Sequence, residues 1–541
     1  MASTNAISPV RRLRVLLGAE RSDLWVATIF SVAIGLLSLT IPVATQAVVN
    51  TIAFGTLLQP LLVLSLVVLG VLIVSAILQV LRFRVVEMLQ RRILVRIASE
   101  SVQKLLRART DSLKQKNGPE LVNRFLDVVT VQKAGATLLV DGLSVAMQTF
   151  IGMILLGLYH PWLLAFDAVL LVALLIVIFP LGAKAIDTTV DESKAKYALV
   201  AWLEEIARNP GTFRGASETD FALNRCDQLV RKYLDSRAKH FTVVLRQFAG
   251  SLTLQALASA ALLGVGGVLV IQRQLTLGQL VAAELVVAAI LAGISKLAKH
   301  LETYYDLLAG LDKLGNLTDI EVERTGRETL NSLGPIALTV KASDYSLEVK
   351  PGEKIGITGL SGSGKSTLLD TIAGYLAPRD KVVELDGVDL RSLQLVDVRT
   401  QVALVRGVEI FNGTILDNVR VGRDMGIEAI QKALEEVGVW EFIQSLPDAM
   451  DTVLSVGGAP LPEGVRRALM VARAVAGAPR LLMIDESLDI VQDTVEQEFL
   501  TDVLFQPNAP WTLIVVSSRR EVLRHCARVL NLQEGVLQEA A

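Results

Sequence analysis

A chain of 541 residues is too long for one domain, and with 52% hydrophobic against 20% charged residues it reads as a membrane protein. The formal net charge of −2 lacks the basic excess that nucleic-acid binding calls for. Two cysteines, Cys226 and Cys526, exclude a disulfide framework, and four scattered histidines (His160, His240, His300, His525) match no metal-ligand spacing.

The segment Ser3 to Asp23 is polar and carries Arg11, Arg12, Arg14 and Arg21. The apolar run after it is longer than a signal-peptide core, so the segment reads as a cytoplasmic lead-in to a retained membrane helix. Six apolar stretches follow, near 24–48, 57–81, 137–158, 161–182, 249–271 and 276–297. Each supplies the roughly 20 helical residues that cross a hydrocarbon core of about 30 Å. The links after the first, third and fifth are short and nearly free of positive charge. Those after the second and fourth are long and hold Arg82, Arg84, Arg91, Arg92, Arg96, Lys184, Lys194 and Lys196. The positive-inside rule therefore places both termini and both long links in the cytoplasm.

Helical character runs unbroken from Leu57 to about Arg109 with no proline after Pro60. At 1.5 Å per residue such a helix reaches roughly 80 Å, well beyond one membrane crossing. The sequence thus predicts a helix that continues into the cytosol, turns around Asp111 to Gly118 and returns. A second hairpin turns near Asn209 to Arg214. Among charges inside spans, Glu284 is the most interior, with Asp141 and Asp167 in the third and fourth. An intramembrane acid marks a candidate substrate pathway; a water-facing or interfacial place in the bundle is the alternative.

Around Thr318 the pattern changes to alternating apolar and polar runs with Gly and Pro turns, as in a soluble α/β domain. The expected division is a membrane domain over 1–316, a linker over 317–334 and a soluble domain over 335–541. Within the last, Gly359-Leu360-Ser361-Gly362-Ser363-Gly364-Lys365-Ser366 satisfies G-x-x-x-x-G-K-[ST], with Thr367 opening the next turn. Glycines let backbone N–H groups close on phosphate oxygens, Lys365 reaches the β/γ-phosphates, and Ser366 can ligate Mg²⁺. The β-prone Lys354–Thr358 before it and the helical Thr367–Ala373 after it supply the strand–loop–helix setting. Nucleoside triphosphate binding is implied. Farther on, the apolar Arg480–Ile484 run ends in Asp485 and Glu486, an acid for a Mg²⁺ shell and an acid to activate water.

Six spans, two cytoplasmic hairpins and this C-terminal domain together resemble an ATP-binding-cassette half-transporter of the exporter type, over nearly the whole chain. The resemblance implies a six-helix membrane domain of the type I exporter architecture followed by an α/β P-loop NTPase cassette, using ATP and Mg²⁺ and working as a pair of halves. Phe411–Asn418 resembles the segment after the Q-loop, Gly458–Arg473 the signature loop and its helix, and Ser517–Arg519 the switch.

Departures from the family pattern are equally specific. Arg406 stands at the Q-loop glutamine, and Leu461-Pro462-Glu463-Gly464-Val465 replaces the Leu-Ser-Gly-Gly-Gln signature. Proline removes an N–H that would meet phosphate. Glu463 would bring a like charge toward it, a repulsion of about 4 kcal/mol at ~4 Å and effective ε near 20. Ser518 replaces the switch histidine, and Gln492 falls at the D-loop aspartate, with Asp493 adjacent. No aromatic is assigned to the adenine, since Tyr345 sits too close to the phosphate loop. A homodimer, or an asymmetric pair with an intact second half, follows from the resemblance, the asymmetric pair being favoured. A non-hydrolysing, ATP-regulated membrane protein is the alternative.

Gln274–Leu280 is similar to exporters of the toxin and type I secretion group. That likeness would imply a periplasmic adaptor and an outer-membrane channel as partners, in a bacterial inner membrane. With about 23 residues before the first span, no N-terminal peptidase domain is expected. A peptide or protein, a lipid or a small amphipathic molecule all remain open as the transported substrate.

Overall fold

The computed structural model describes residues 8–53, 58–115, 118–378, 380–489, 500–533 and 535–539. The chain forms two compact units, Met1–Ala108 with Leu113–Ile320 and Arg109–Ser112 with Glu321–Ala541.

Among the described residues of the first unit, six helical segments are long and apolar enough to cross a membrane: Arg21–Thr51, Gln59–Leu106, Leu121–Tyr159, Pro161–Ile178, Ala216–Ile271 and Leu277–Gly315. Several of these helices are long. One helix runs over Leu58–Leu106, and the second hairpin pairs Ala185–Arg208 with the 56-residue helix Ala216–Ile271. Prolines set two boundaries that hydropathy alone placed differently. The first span divides into Arg21–Ser38 and Thr40–Ala53 because Pro42 has no N–H to offer the Ser38 carbonyl. The fourth stops at Ile178, two residues before Pro180, instead of reaching 182.

Large apolar side chains such as Leu62, Leu66, Ile73 and Ile77 lie exposed along the Leu58–Leu106 helix, an arrangement that lipid tolerates and water does not. Between the spans, Leu156, Leu163, Leu170, Leu262, Val286 and Ile290 form a buried core. The sixth span opens with a capping box: Thr276 Oγ accepts from the Gln279 N–H at 3.1 Å, and Gln279 Oε1 accepts from the Thr276 N–H at 2.9 Å. Gly278 in that turn lies against Thr40–Ala53, where an added Cβ would stand 2.7 Å from the Gln46 carbonyl oxygen. Gln247, almost fully buried, donates to the Ile178 carbonyl at 3.2 Å and to Tyr305 Oη at 3.0 Å, satisfying the end of the fourth span.

In the second unit the strands are β1 Leu338–Lys341, β2 Ser346–Val349, β3 Lys354–Thr358, β4 Val382–Leu385, β5 Val388–Asp389, β6 Val402–Arg406, β7 Gly413–Thr414, β8 Val453–Leu454, β9 Leu481–Asp485, β10 Thr512–Val516, β11 Arg528–Gln533 and β12 Val536–Glu539. They form a six-stranded sheet in the order β12-β11-β3-β10-β9-β6, a four-stranded sheet in the order β2-β1-β4-β5 and the small pair β7-β8. The six-stranded sheet is parallel apart from β12. Its central strands, Leu-Leu-Met-Ile-Asp and Thr-Leu-Ile-Val-Val, are buried at every position, as strands covered on both faces must be. Successive side chains divide between two cores. Leu482, Ile484, Leu513 and Val515 join Leu469 and Ala472 on one face, while Met483, Ile514 and Val516 meet Leu368 and Leu369 on the other.

Candidate functional site

The parallel register brings the carboxyl ends of four strands level. Arg406 on β6 lies opposite Asp485 on β9, Asp485 opposite Val516 on β10, and Val516 opposite Ile357 on β3. In open α/β sheets this edge is where ligands bind.

From β3 the chain enters the glycine loop and then the helix Lys365–Ile372. Gly362 and Gly364 hold φ of 83° and 99°, a left-handed backbone that side chains disfavour. The loop thereby aims the free N–H groups of the following helix at one point, the geometry of an anion site. Lys365, only 8% exposed, curls back so that Nζ donates to the carbonyls of Gly359 at 2.9 Å and Leu360 at 3.0 Å. The same ammonium stands 3.5 Å from Glu486 Oε1. Lys365, Asp485 and Glu486 are thus gathered at one edge, as their motifs require. Glu486 is an exposed side chain on a residue with φ of 53°, the kind of backbone held in place by its surroundings.

Arg406 departs from what its sequence position suggests. It is not simply a missing glutamine. Its Nε donates to Asp485 Oδ2 at 2.5 Å, one Nη to Asp370 Oδ1 at 2.7 Å and the other to the Ser366 carbonyl at 3.0 Å. Burial opposes the charge on this guanidinium, yet its bonds to Asp485 and Asp370 prevail and hold its pKa above the ordinary arginine value. Both carboxylates are buried, at 7% exposure for Asp370 and 5% for Asp485.

Asp485 Oδ1 is buried with no hydrogen-bond partner. That oxygen and the hydroxyl of Ser366 at the helix start are hard donors of the kind Mg²⁺ takes, alongside water and phosphate oxygens. Among the described residues no group of three or more His, Cys, Asp or Glu side chains could hold a metal. An ion here would rely on the nucleotide.

The signature-like segment gives the N-terminus of the helix Glu463–Ala476, with Pro462 as its N-cap. Glu463 does not stand alone. It pairs with Arg467 one turn on, Arg467 Nη2 donating at 2.8 Å, and this bond holds its carboxyl below the usual range. Gly464 follows in the first turn, and Val465 is buried in the core and so does not present its side chain at the surface. In the switch segment, the Ser518 N–H and Oγ donate to Asp489 Oδ2 at 2.7 and 2.8 Å, and Ser517 Oγ donates to Oδ1. Gln492 lies outside the described residues. Tyr345 accepts a bond from Lys381 at 2.9 Å with the ammonium over its ring. Glu284, in the other unit, is exposed on the helix Leu277–Ser295. Sequence reasoning missed Asp370, Arg467 and Asp489. Only the i,i+4 spacing of Glu463 and Arg467 could have signalled one of them.

Comparison with known proteins matches residues 24–294 to the family described as ABC transporter transmembrane region and residues 342–489 to that described as ABC transporter. An ATP-dependent lipid A-core flippase of Desulfotalea psychrophila is 26% identical over 77% of this chain and 76% of its own. The flippase of that description from Chromobacterium violaceum is 35% identical over 36% of this chain and 34% of its own. ABC transporter B family member 21 of Arabidopsis thaliana is 26% identical over 78% of this chain and 34% of its own. Matches to the first three relatives span only 35%, 48% and 34% of their lengths. A solved structure of a bacterial Atm1-family ABC exporter with ATP bound superposes with a TM-score of 0.83 at 19% identity, covering 96% of this chain and 95% of that one. The type I exporter fold expected from the sequence is therefore the fold observed.

Proposed function

This chain belongs to the ABC transporter family, and from that premise we propose that it is one half of an ATP-driven exporter acting as a pair. It is a multi-pass integral membrane protein, with six helices among the described residues long and apolar enough to cross a membrane. The observation that carries the proposal is the gathering of Lys365, Asp485 and Glu486 at the carboxyl edge of one sheet, beside a complete phosphate loop.

On nucleotide binding, Lys365 exchanges the Gly359 and Leu360 carbonyls for β/γ-phosphate oxygens, and the loop N–H groups take the remaining charge. Glu486, exposed beside it, orients and deprotonates the attacking water. Mg²⁺, held by Ser366 and Asp485, would offset charge on the phosphates. In the family a second chain's signature loop completes such a site. A pair supplies it, and Pro462 makes this chain's own contribution to the opposite site weaker, since one N–H is missing. An asymmetric pair with an intact second half is favoured on that ground. Nucleotide-driven closure moves the hairpins only by its differential affinity for the closed state.

A lipid or similarly amphipathic molecule is the proposed substrate, in keeping with the flippases to which the chain is similar. Those relatives lend no support to a periplasmic adaptor or outer-membrane channel, and neither belongs to the proposal. Glu284 fits a pathway role: an exposed carboxylate within a span is costly against lipid and is accommodated by a second chain or a wet passage.

The test is reconstitution in liposomes, with ATP hydrolysis and movement of a fluorescent lipid measured for the wild type and Glu486→Gln. Both activities should vanish in the variant; hydrolysis that survives Glu486→Gln contradicts the assignment. The second reading, ATP as a regulatory ligand without turnover, is favoured by Arg406 on Asp485. It requires nucleotide binding with no hydrolysis alone or with any second half.

A further inference from the structure

We propose that Arg406, anchored by Asp370, is a resident cation of the nucleotide site and makes ATP binding by this chain tolerant of Mg²⁺ withdrawal. The inference rests on the nucleotide-binding reading of the same site and goes beyond it to the site's metal requirement. The guanidinium bonds one oxygen of Asp485 and the carbonyl of Ser366, the two residues placed to hold the ion. It therefore brings a fixed unit charge to the metal's immediate surroundings. Asp370 holds it there through 2.7 Å from the other side, so the charge does not depend on nucleotide for its position.

Two consequences follow from charge alone. The site sets Lys365 and Arg406 against Asp370, Asp485 and Glu486. With glutamine at 406 a single cation would face three carboxylates, and a polyphosphate would need a divalent ion to approach them. With arginine, much of that repulsion is already offset. Asp485, meanwhile, gives one oxygen to Arg406 and keeps only Oδ1 for a metal, while the neighbouring positive charge repels the ion. Metal-free nucleotide binding is strengthened and metal affinity is lowered. Asp370 and Arg406 thus act as a positioning pair that sets how strongly ATP binding depends on Mg²⁺.

The experiment titrates the full chain in nanodiscs with a fluorescent ATP analogue, in saturating Mg²⁺ and in excess EDTA. Wild type should lose less than about tenfold in affinity on metal removal, and Arg406→Gln should lose at least about tenfold more than that. Arg406→Lys retains the charge and should stay metal-tolerant, and it carries the test if the glutamine variant does not fold. A wild-type loss as large as that of Arg406→Gln, or metal tolerance lost in Arg406→Lys, overturns the inference. Failure of wild type to bind the analogue in either condition defeats instead the nucleotide-binding reading beneath it.

Discussion

Replacing Arg406 by methionine removes the one cation between two buried carboxylates and should destabilise the nucleotide-binding unit. Asp370 and Asp485 have side chains only 10% and 4% exposed, whereas that of Arg406 is 32% exposed. Breaking a fully buried pair costs about 3–5 kcal/mol. Partial solvent access to the guanidinium screens the interaction, so about 2 kcal/mol is the expected loss here. For a unit of this size each kcal/mol lowers Tm by about 2–4 °C, giving a fall of roughly 4–8 °C. Thermal unfolding of the full chain in detergent, followed by the fluorescence of Trp440 and Trp511 in this unit, measures it. Adding Asp370→Asn removes one of the stranded charges, and the double variant should recover a good part of the loss. An unchanged Tm for Arg406→Met, or strictly additive losses in the double variant, would refute the ion-triad account.

Asp489→Ala strands the Ser518 N–H and two serine hydroxyls; a loss of about 1–3 kcal/mol is expected in the same melt, with slower ATP turnover in liposomes. Cys526 has its thiol pushed up to about 12 by burial, so maleimide should label it at neutral pH only after unfolding. The same shift carries a pH sign. Unfolded thiols ionise near pH 8.5 while the folded one stays protonated, so this group's contribution is intact below about pH 8.5 and is lost as pH rises toward about 12. Denaturant titrations over that range should show stability falling, with the fall reduced in Cys526→Ala. Gly278→Val drives a side chain against the Gln46 carbonyl and should cost about 1–3 kcal/mol in micelle stability, whereas Gly264→Val, with open space at that position, should cost less.

What was legible in the sequence was what is local. Hydropathy and the absence of breakers located the six spans and the helix Leu58–Leu106, because a helix is specified by its own residues. Pro42 and Pro180 were equally visible, but their effect on span ends depends on carbonyls four residues back. The phosphate loop was readable for the same reason, as strand, loop and helix are contiguous. Arg406 was legible only as a loss. Its partners are 36 and 79 residues away; Asp485 meets it through parallel register and Asp370 from the helix after the phosphate loop, which no local pattern encodes. Glu463 was legible as a charge at the signature, while its pairing with Arg467 four residues on was not drawn from the sequence. Asp489 carries no motif of its own; its role exists only once β10 delivers Ser517 and Ser518 beside it.

Trapping of nucleotide by the Glu486→Gln chain tests the central claim most directly, that this chain contributes one phosphate-binding half-site completed by a second chain. Photolabelling with an azido-ATP after removal of free nucleotide, with the particles sorted by the number of chains they contain, gives the answer. The account predicts label retained by paired particles, mapping to the Gly359–Ser366 loop, lost with Lys365→Met and nearly absent from single chains. Equal retention by single chains, or label unaffected by Lys365→Met, would contradict it.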